Sequence, residues 1–121
     1  VNIGSGWDVD EGETFDLDAS VTAFDECCQV VEAIYFSSKR RLNCSVYLHG
    51  DNLTGVGDGD DEVVSIHLDQ IPARVMLLAV AINSYSGNSL VKAKEAFIRL
   101  FDGDTKREIG MFILNRTKDC I

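Results

Sequence analysis

The chain has 121 residues, 45% of them hydrophobic and 26% charged, with a formal net charge of −9, the balance of one globular domain able to bury most of its apolar surface. Its pI near 4.5 excludes a nucleic-acid duplex as partner, because duplex binding rests on clustered Lys and Arg. No apolar run reaches the length of about 18 residues that a transmembrane segment needs, and no signal peptide is read at the start.

The apolar period is close to two along most of the chain, which marks half-buried strands rather than helices. A first strand is predicted over 1–7. Over 15–23, Phe15, Leu17, Ala19, Val21 and Ala23 share one face while Asp16, Asp18, Ser20 and Thr22 share the other. Strands over 30–36 and 44–48 follow, joined by the polar turn Ser37-Ser38-Lys39-Arg40-Arg41, whose basic triplet reads as a solvated hairpin tip rather than a phosphate grip. Val64, Ile66 and Leu68 then alternate with Ser65, His67 and Asp69, which places His67 on a wet face. Pro72 breaks the pattern before the apolar run 75–82, predicted as a central strand buried on both faces. Residues 84–90 are polar and read as a loop or one helical turn. The last pair, 96–101 and 109–114, is joined by the turn Asp102-Gly103-Asp104. About eight strands without a helical period predict an all-β fold, a two-sheet antiparallel β-sandwich with at most one or two short helical turns. No repeat or linker divides it, so 1–121 reads as a single domain.

Cys27, Cys28, Cys44 and Cys120 show no CxxC spacing. Adjacent Cys27 and Cys28 are expected on opposite sides of a strand, and reduced thiols in a cytoplasmic protein are the prediction, not a disulfide framework or zinc site. Three sequons, at Asn43, Asn52 and Asn115, would matter only in a secretory pathway.

The acidity is local. Segments 8–18 and 51–62 hold six and five acids and no base, which leaves the remainder of the chain at +2. In Gly50-Asp51-Asn52-Leu53-Thr54-Gly55-Val56-Gly57-Asp58-Gly59-Asp60-Asp61-Glu62 the carboxylates repel one another unless a cation sits among them, and the glycines let carbonyls turn inward. An oxygen-only set suits calcium, which accepts about 6 to 8 oxygens in loose geometry, better than magnesium or zinc. The loop is not an EF-hand: with Asp51 first, Leu53 and Gly55 stand where side-chain oxygens are needed, and Val56 stands where glycine is. Nor is it a phosphate loop, since no Gly-Lys-Ser/Thr follows and its charge repels an anion. Asp16 and Asp18, two residues apart on one strand face, place their carboxylates about 7 Å apart. Loops of a sandwich gather at its ends, so both acidic segments are expected to close around one or two Ca²⁺ ions.

No Gly-x-Ser-x-Gly elbow is present, and no histidine is placed to serve a Cys or Ser nucleophile. A non-enzymatic binding domain is expected, with calcium presenting a surface to a protein or anionic ligand. The alternative is a metal-dependent phosphate- or nucleotide-binding module, or a hydrolase, built on the same carboxylates.

Gly6-Trp7-Asp8, Phe15-Asp16-Leu17-Asp18-Ala19-Ser20, the whole of 50–62 and Ala96-Phe97-Ile98-Arg99 together resemble the TerD-type tellurium-resistance family over nearly the full chain. The resemblance implies a cytoplasmic calcium-binding β-sandwich associated with resistance to tellurite and other stresses. Carried over by position, it implies Asp16, Asp18, Asp51, Asn52, Asp60, Asp61 and Glu62 as calcium ligands, with Asp8 beside them and the carbonyls of Gly55 and Gly57 completing the shell. Asp58 falls on a variable slot. The family's strand and basic, proline-containing segment ahead of Gly6-Trp7-Asp8 is almost wholly missing here, which suggests a trimmed start. Ser89-Leu90 stands where a Phe-Gly pair is usual. Nothing in the residues supports binding or conversion of tellurite by this chain itself.

Overall fold

A computed structural model describes residues 1–8, 16–50, 59–85 and 93–114. Among them are nine strands and one 3-10 turn: β1 Asn2–Asp8, β2 Leu17–Phe24, β3 Val30–Ile34, β4 Arg40–Arg41, β5 Val46–Leu48, β6 Glu62–Ile66, the turn Leu68–Gln70, β7 Leu77–Ser84, β8 Lys94–Phe101 and β9 Glu108–Ile113. They form a six-stranded sheet in the order β4-β5-β6-β1-β8-β9 and a three-stranded sheet in the order β3-β2-β7. Every strand pair is antiparallel. The all-β two-sheet sandwich is therefore the observed fold, and no helix among the described residues is long and apolar enough to cross a membrane.

Alternation sets the layers. On β2, Leu17, Ala19, Val21 and Ala23 are buried while Asp18, Ser20, Thr22 and Phe24 are half-buried on the opposite face. Ala19, Val21 and Ala23 meet Ile3, Ile34, Val46, Leu48, Val64 and Ile66 in one apolar cluster. A second cluster gathers Trp7, Leu17, Ala93 and Ala96. Leu42 reaches the first cluster from a left-handed turn in which Leu42, Asn43 and Cys44 all have φ between 55° and 64°.

Four expectations are corrected. The apolar run 75–82 is not a central strand buried on both faces. β7 pairs only with β2 among the described residues and alternates between exposed and half-buried, because one face of its three-stranded sheet meets solvent. Arg40 and Arg41 are not a hairpin tip but a short strand paired with β5, the Arg40 guanidinium lying 4.3 Å from the Tyr47 ring centroid. Cys27 and Cys28 lie in the turn between β2 and β3, closed by Asp25, and not on a strand. Leu68, expected inward, is exposed on the 3-10 turn. Cys27, Cys28 and Cys44 are exposed free thiols.

Among the described residues, three strands face six. Outermost β9 contributes nothing to the buried core, and Phe112 on it is 72% exposed.

Candidate functional site

Three consecutive acids, Asp60, Asp61 and Glu62, lead into β6 and each turns to a different part of the fold. Asp60 lies on the outside of the six-stranded sheet. There Arg99 of β8 donates from Nε to its Oδ1 and from Nη2 to its Oδ2, both at 2.7 Å, the two-pronged geometry a guanidinium forms best with a carboxylate. Gly4, paired with Arg99 in register, is the floor beneath the pair, since a Cβ at that position would collide with the Asp60 carboxylate. Arg99 also lies 4.6 Å from the centroid of the Phe101 ring. Its basicity is raised, first by the hydrogen bond to Asp60 and further by the charges of Asp60 and Glu108.

Asp61 turns along the strand. Its Oδ2 accepts the Trp7 N–H at 2.9 Å, while its own N–H donates to the Ser5 carbonyl at 2.8 Å. The β1–β6 pairing ends at Ser5 and Glu62, so the Trp7 N–H, which faces the β6 side, lies beyond the ladder and Asp61 receives it.

Glu62 turns inward and is 2% exposed. Its Oε2 accepts the Ala19 N–H across the sandwich at 2.7 Å. β3 pairs with β2 only from Val21 to Phe24; ahead of Val21, a side chain from the opposite sheet takes the place of a neighbouring strand. Ser5 is paired with Glu62 in register and is likewise 2% exposed, and its hydroxyl makes no hydrogen bond.

The end of the second acidic segment is thus bonded to the two residues that flank the first. Glu62 bonds the main chain one residue from Asp18, and Asp61 bonds it one residue from Asp8. Asp16 and Asp18 fall on the same face, as the alternation required, and Asp16 receives the Tyr85 N–H on its carbonyl. Asp8 is exposed at the end of β1. Asp51 and Asn52, with the carbonyls of Gly55 and Gly57, lie outside the described residues. Among those described, no three His, Cys, Asp or Glu side chains converge closely enough to hold a metal ion by themselves. The sequence reading missed Arg99, the only charged residue in the apolar stretch 96–101, and missed that Gly4 makes room for its partner.

A family model described as the TerD domain matches residues 1–119. The tellurium resistance protein TerZ of Serratia marcescens is 35% identical over 126 residues, covering 94% of this chain and 64% of its own length. General stress protein 16U of Bacillus subtilis is 34% identical over 119 residues, covering 90% of this chain and 62% of its own length. The chain thus spans less than two thirds of the length of these curated relatives. In fold it is similar to a crystal structure of a telluride resistance protein (TerD) homologue from Streptomyces coelicolor A3(2), with a TM-score of 0.76 at 20% identity over 95% of this chain and 71% of that one. A second solved structure, of a protein of unknown function, gives 0.81 at 21% identity over 93% and 69%. Matched over nearly its whole length by the family model and more than 30% identical to named members, the chain belongs to the TerD domain family.

Proposed function

We propose that this chain is a calcium-binding, non-catalytic stress-response domain whose two acidic segments hold one or two Ca²⁺ ions and present a calcium-dependent surface to a protein or anionic partner. The observation that carries this reading is the pair of bonds from Trp7 to Asp61 and from Ala19 to Glu62, which sets the end of the second acidic segment against the residues that flank the first, next to Asp8 and Asp18. The donors there are oxygens, the preference of a hard cation that tolerates irregular geometry. One N–H takes one of about four acceptor positions on a carboxylate, so these bonds and coordination are compatible.

Asp8, Asp16, Asp18, Asp61 and Glu62 are assigned to the ion together with Asp51 and Asn52 of the loop, since the described carboxylates do not converge on one point without it. Asp60 fits less well. With both oxygens in the Arg99 fork, its role is to anchor the end of the acidic loop to β8. When bound, calcium supplies the positive charge that lets these carboxylates lie together, and it offers open positions to an anionic partner. Exposed free thiols at Cys27, Cys28 and Cys44 fit a reducing, cytoplasmic setting. The relatives named as resistance and stress proteins accord with a binding role rather than a catalytic one.

Calorimetric titration of chelator-treated protein with Ca²⁺, paired with thermal melts, tests the proposal. Saturable binding and a melting temperature that rises with calcium are expected, because a ligand that binds only the folded state stabilises it. No heat and no shift at millimolar calcium would end it.

A further inference from the structure

The outer face of the three-stranded sheet carries a cleft of about 460 Å³. Its floor is the solvent side of β2, where Asp18, Ser20 and Thr22 follow one another, with Asn83 of β7 paired to Asp18. Its wall is aromatic. Tyr35 and Phe36 follow β3, Tyr85 follows β7, and the Phe36 ring meets Tyr35 edge-on at 5.7 Å and Tyr85 at 5.8 Å. The two outer strands of the sheet therefore reach each other across the middle one, beside Asp18. The three rings remain 41%, 41% and 69% exposed, although rings of this size are ordinarily drawn into the interior. Each edge-to-face contact uses the edge of one ring and the face of another, and the ring surface that remains exposed lines the cleft. No Lys, Arg or His is among the described lining residues.

We propose that this cleft binds an organic cation, the alkylammonium group of a small molecule, between the faces of Tyr35, Phe36 and Tyr85 and the carboxylate of Asp18. An aromatic face carries a negative quadrupole that attracts ammonium groups, and a nearby carboxylate adds to that attraction. The chain's net charge of −9 favours a cation and repels an anion. A neutral polyol would find hydroxyl, amide and carboxylate partners in Ser20, Thr22, Asn83 and Asp18, but without a positive charge it lacks the Coulombic attraction to Asp18 and to the rings that an ammonium has. The volume lies in the range of small-molecule sites, about 300–1,000 Å³, which favours a free amine over an extended peptide. The cleft stands apart from the calcium reading except at Asp18, where a metal ion would exclude the ammonium.

The test is a titration with tetramethylammonium in chelator, following the ring protons of Tyr35, Phe36 and Tyr85 by NMR, with tert-butanol as the neutral isostere. Saturable shifts with tetramethylammonium are expected, with binding of tert-butanol weaker by about tenfold. Phe36→Leu, Tyr85→Leu and Asp18→Asn should each weaken the ammonium by about threefold to tenfold. Backbone spectra report whether each variant keeps its fold, and the exposure of the two rings makes the aromatic replacements mild. Equal binding of the alcohol, no saturable shift, or variants that bind like the parent would overturn the assignment. So would a lysine-rich peptide that binds more tightly than the free amine through the same three rings, since the occupant would then be a protein.

Discussion

Replacing Glu62 by alanine tests whether the two sheets are stitched by a side chain. The carboxylate is 2% exposed and accepts the Ala19 N–H at 2.7 Å. A hydrogen bond to a charged acceptor contributes about 1.5–3 kcal/mol, and a buried N–H left without one costs about 1–3 kcal/mol. The one lost methylene adds about 0.8 kcal/mol. Against this, the variant no longer has to bury a charge, which offsets several kcal/mol. The net loss is about 2–4 kcal/mol. For a chain of 121 residues that lowers the melting temperature by about 10 °C. Glu62→Gln keeps the shape and an acceptor oxygen, so its loss is about 1 kcal/mol. Urea and thermal unfolding of both variants in chelator read the structural part alone. A Glu62→Ala protein within about 0.5 kcal/mol of the parent, the range of an ordinary surface change, would show that the bond across the sandwich is not formed.

The fork between Asp60 and Arg99 should appear as a coupling of about 1 kcal/mol in a double-mutant cycle of Asp60→Asn and Arg99→Gln; strictly additive losses would remove it. Gly4→Ala, which places a methyl group against the Asp60 carboxylate, should cost about 1–3 kcal/mol, and less in an Asp60→Ala background. Asp102 accepts the Thr105 N–H, the Thr105 hydroxyl and the Asp104 N–H, which hold its carboxyl below the ordinary 3.8. A depressed folded-state pKa contributes stability that is complete above the unfolded value and is lost as pH falls through the folded one. Asp102→Asn should therefore flatten the fall in stability below about pH 4, and urea curves that stay parallel from pH 6 to pH 2 would refute this.

The layers were legible because strand alternation is a local rule: Leu17, Ala19, Val21 and Ala23 had to face the core if β2 existed at all. Family and fold class followed from the same patterns and from the long acidic loop. The edge position of β7 was not legible, because Leu77 to Ile82 reads the same whether its second face meets a layer or water, and only the number of neighbouring strands decides. The three acids could be read as an anionic cluster but not as a divided one. Arg99 is 39 residues from Asp60, and register, which no local rule supplies, brings them together. The end of the β1–β6 ladder at Ser5, which leaves the Trp7 N–H to Asp61, was equally hidden.

The division of Asp60, Asp61 and Glu62 among outer surface, strand edge and interior makes their phase indivisible. Deleting one residue between Asp60 and Glu62 would swing every following side chain of β6 to the opposite face, sending Val64 and Ile66 toward water and bringing the Ser65 hydroxyl into the core. Inserted residues ahead of Gly59 would leave that phase untouched. The loop can therefore vary in length on one side of a fixed three-residue clasp, and lineages that diversify the loop are expected to do so upstream of it.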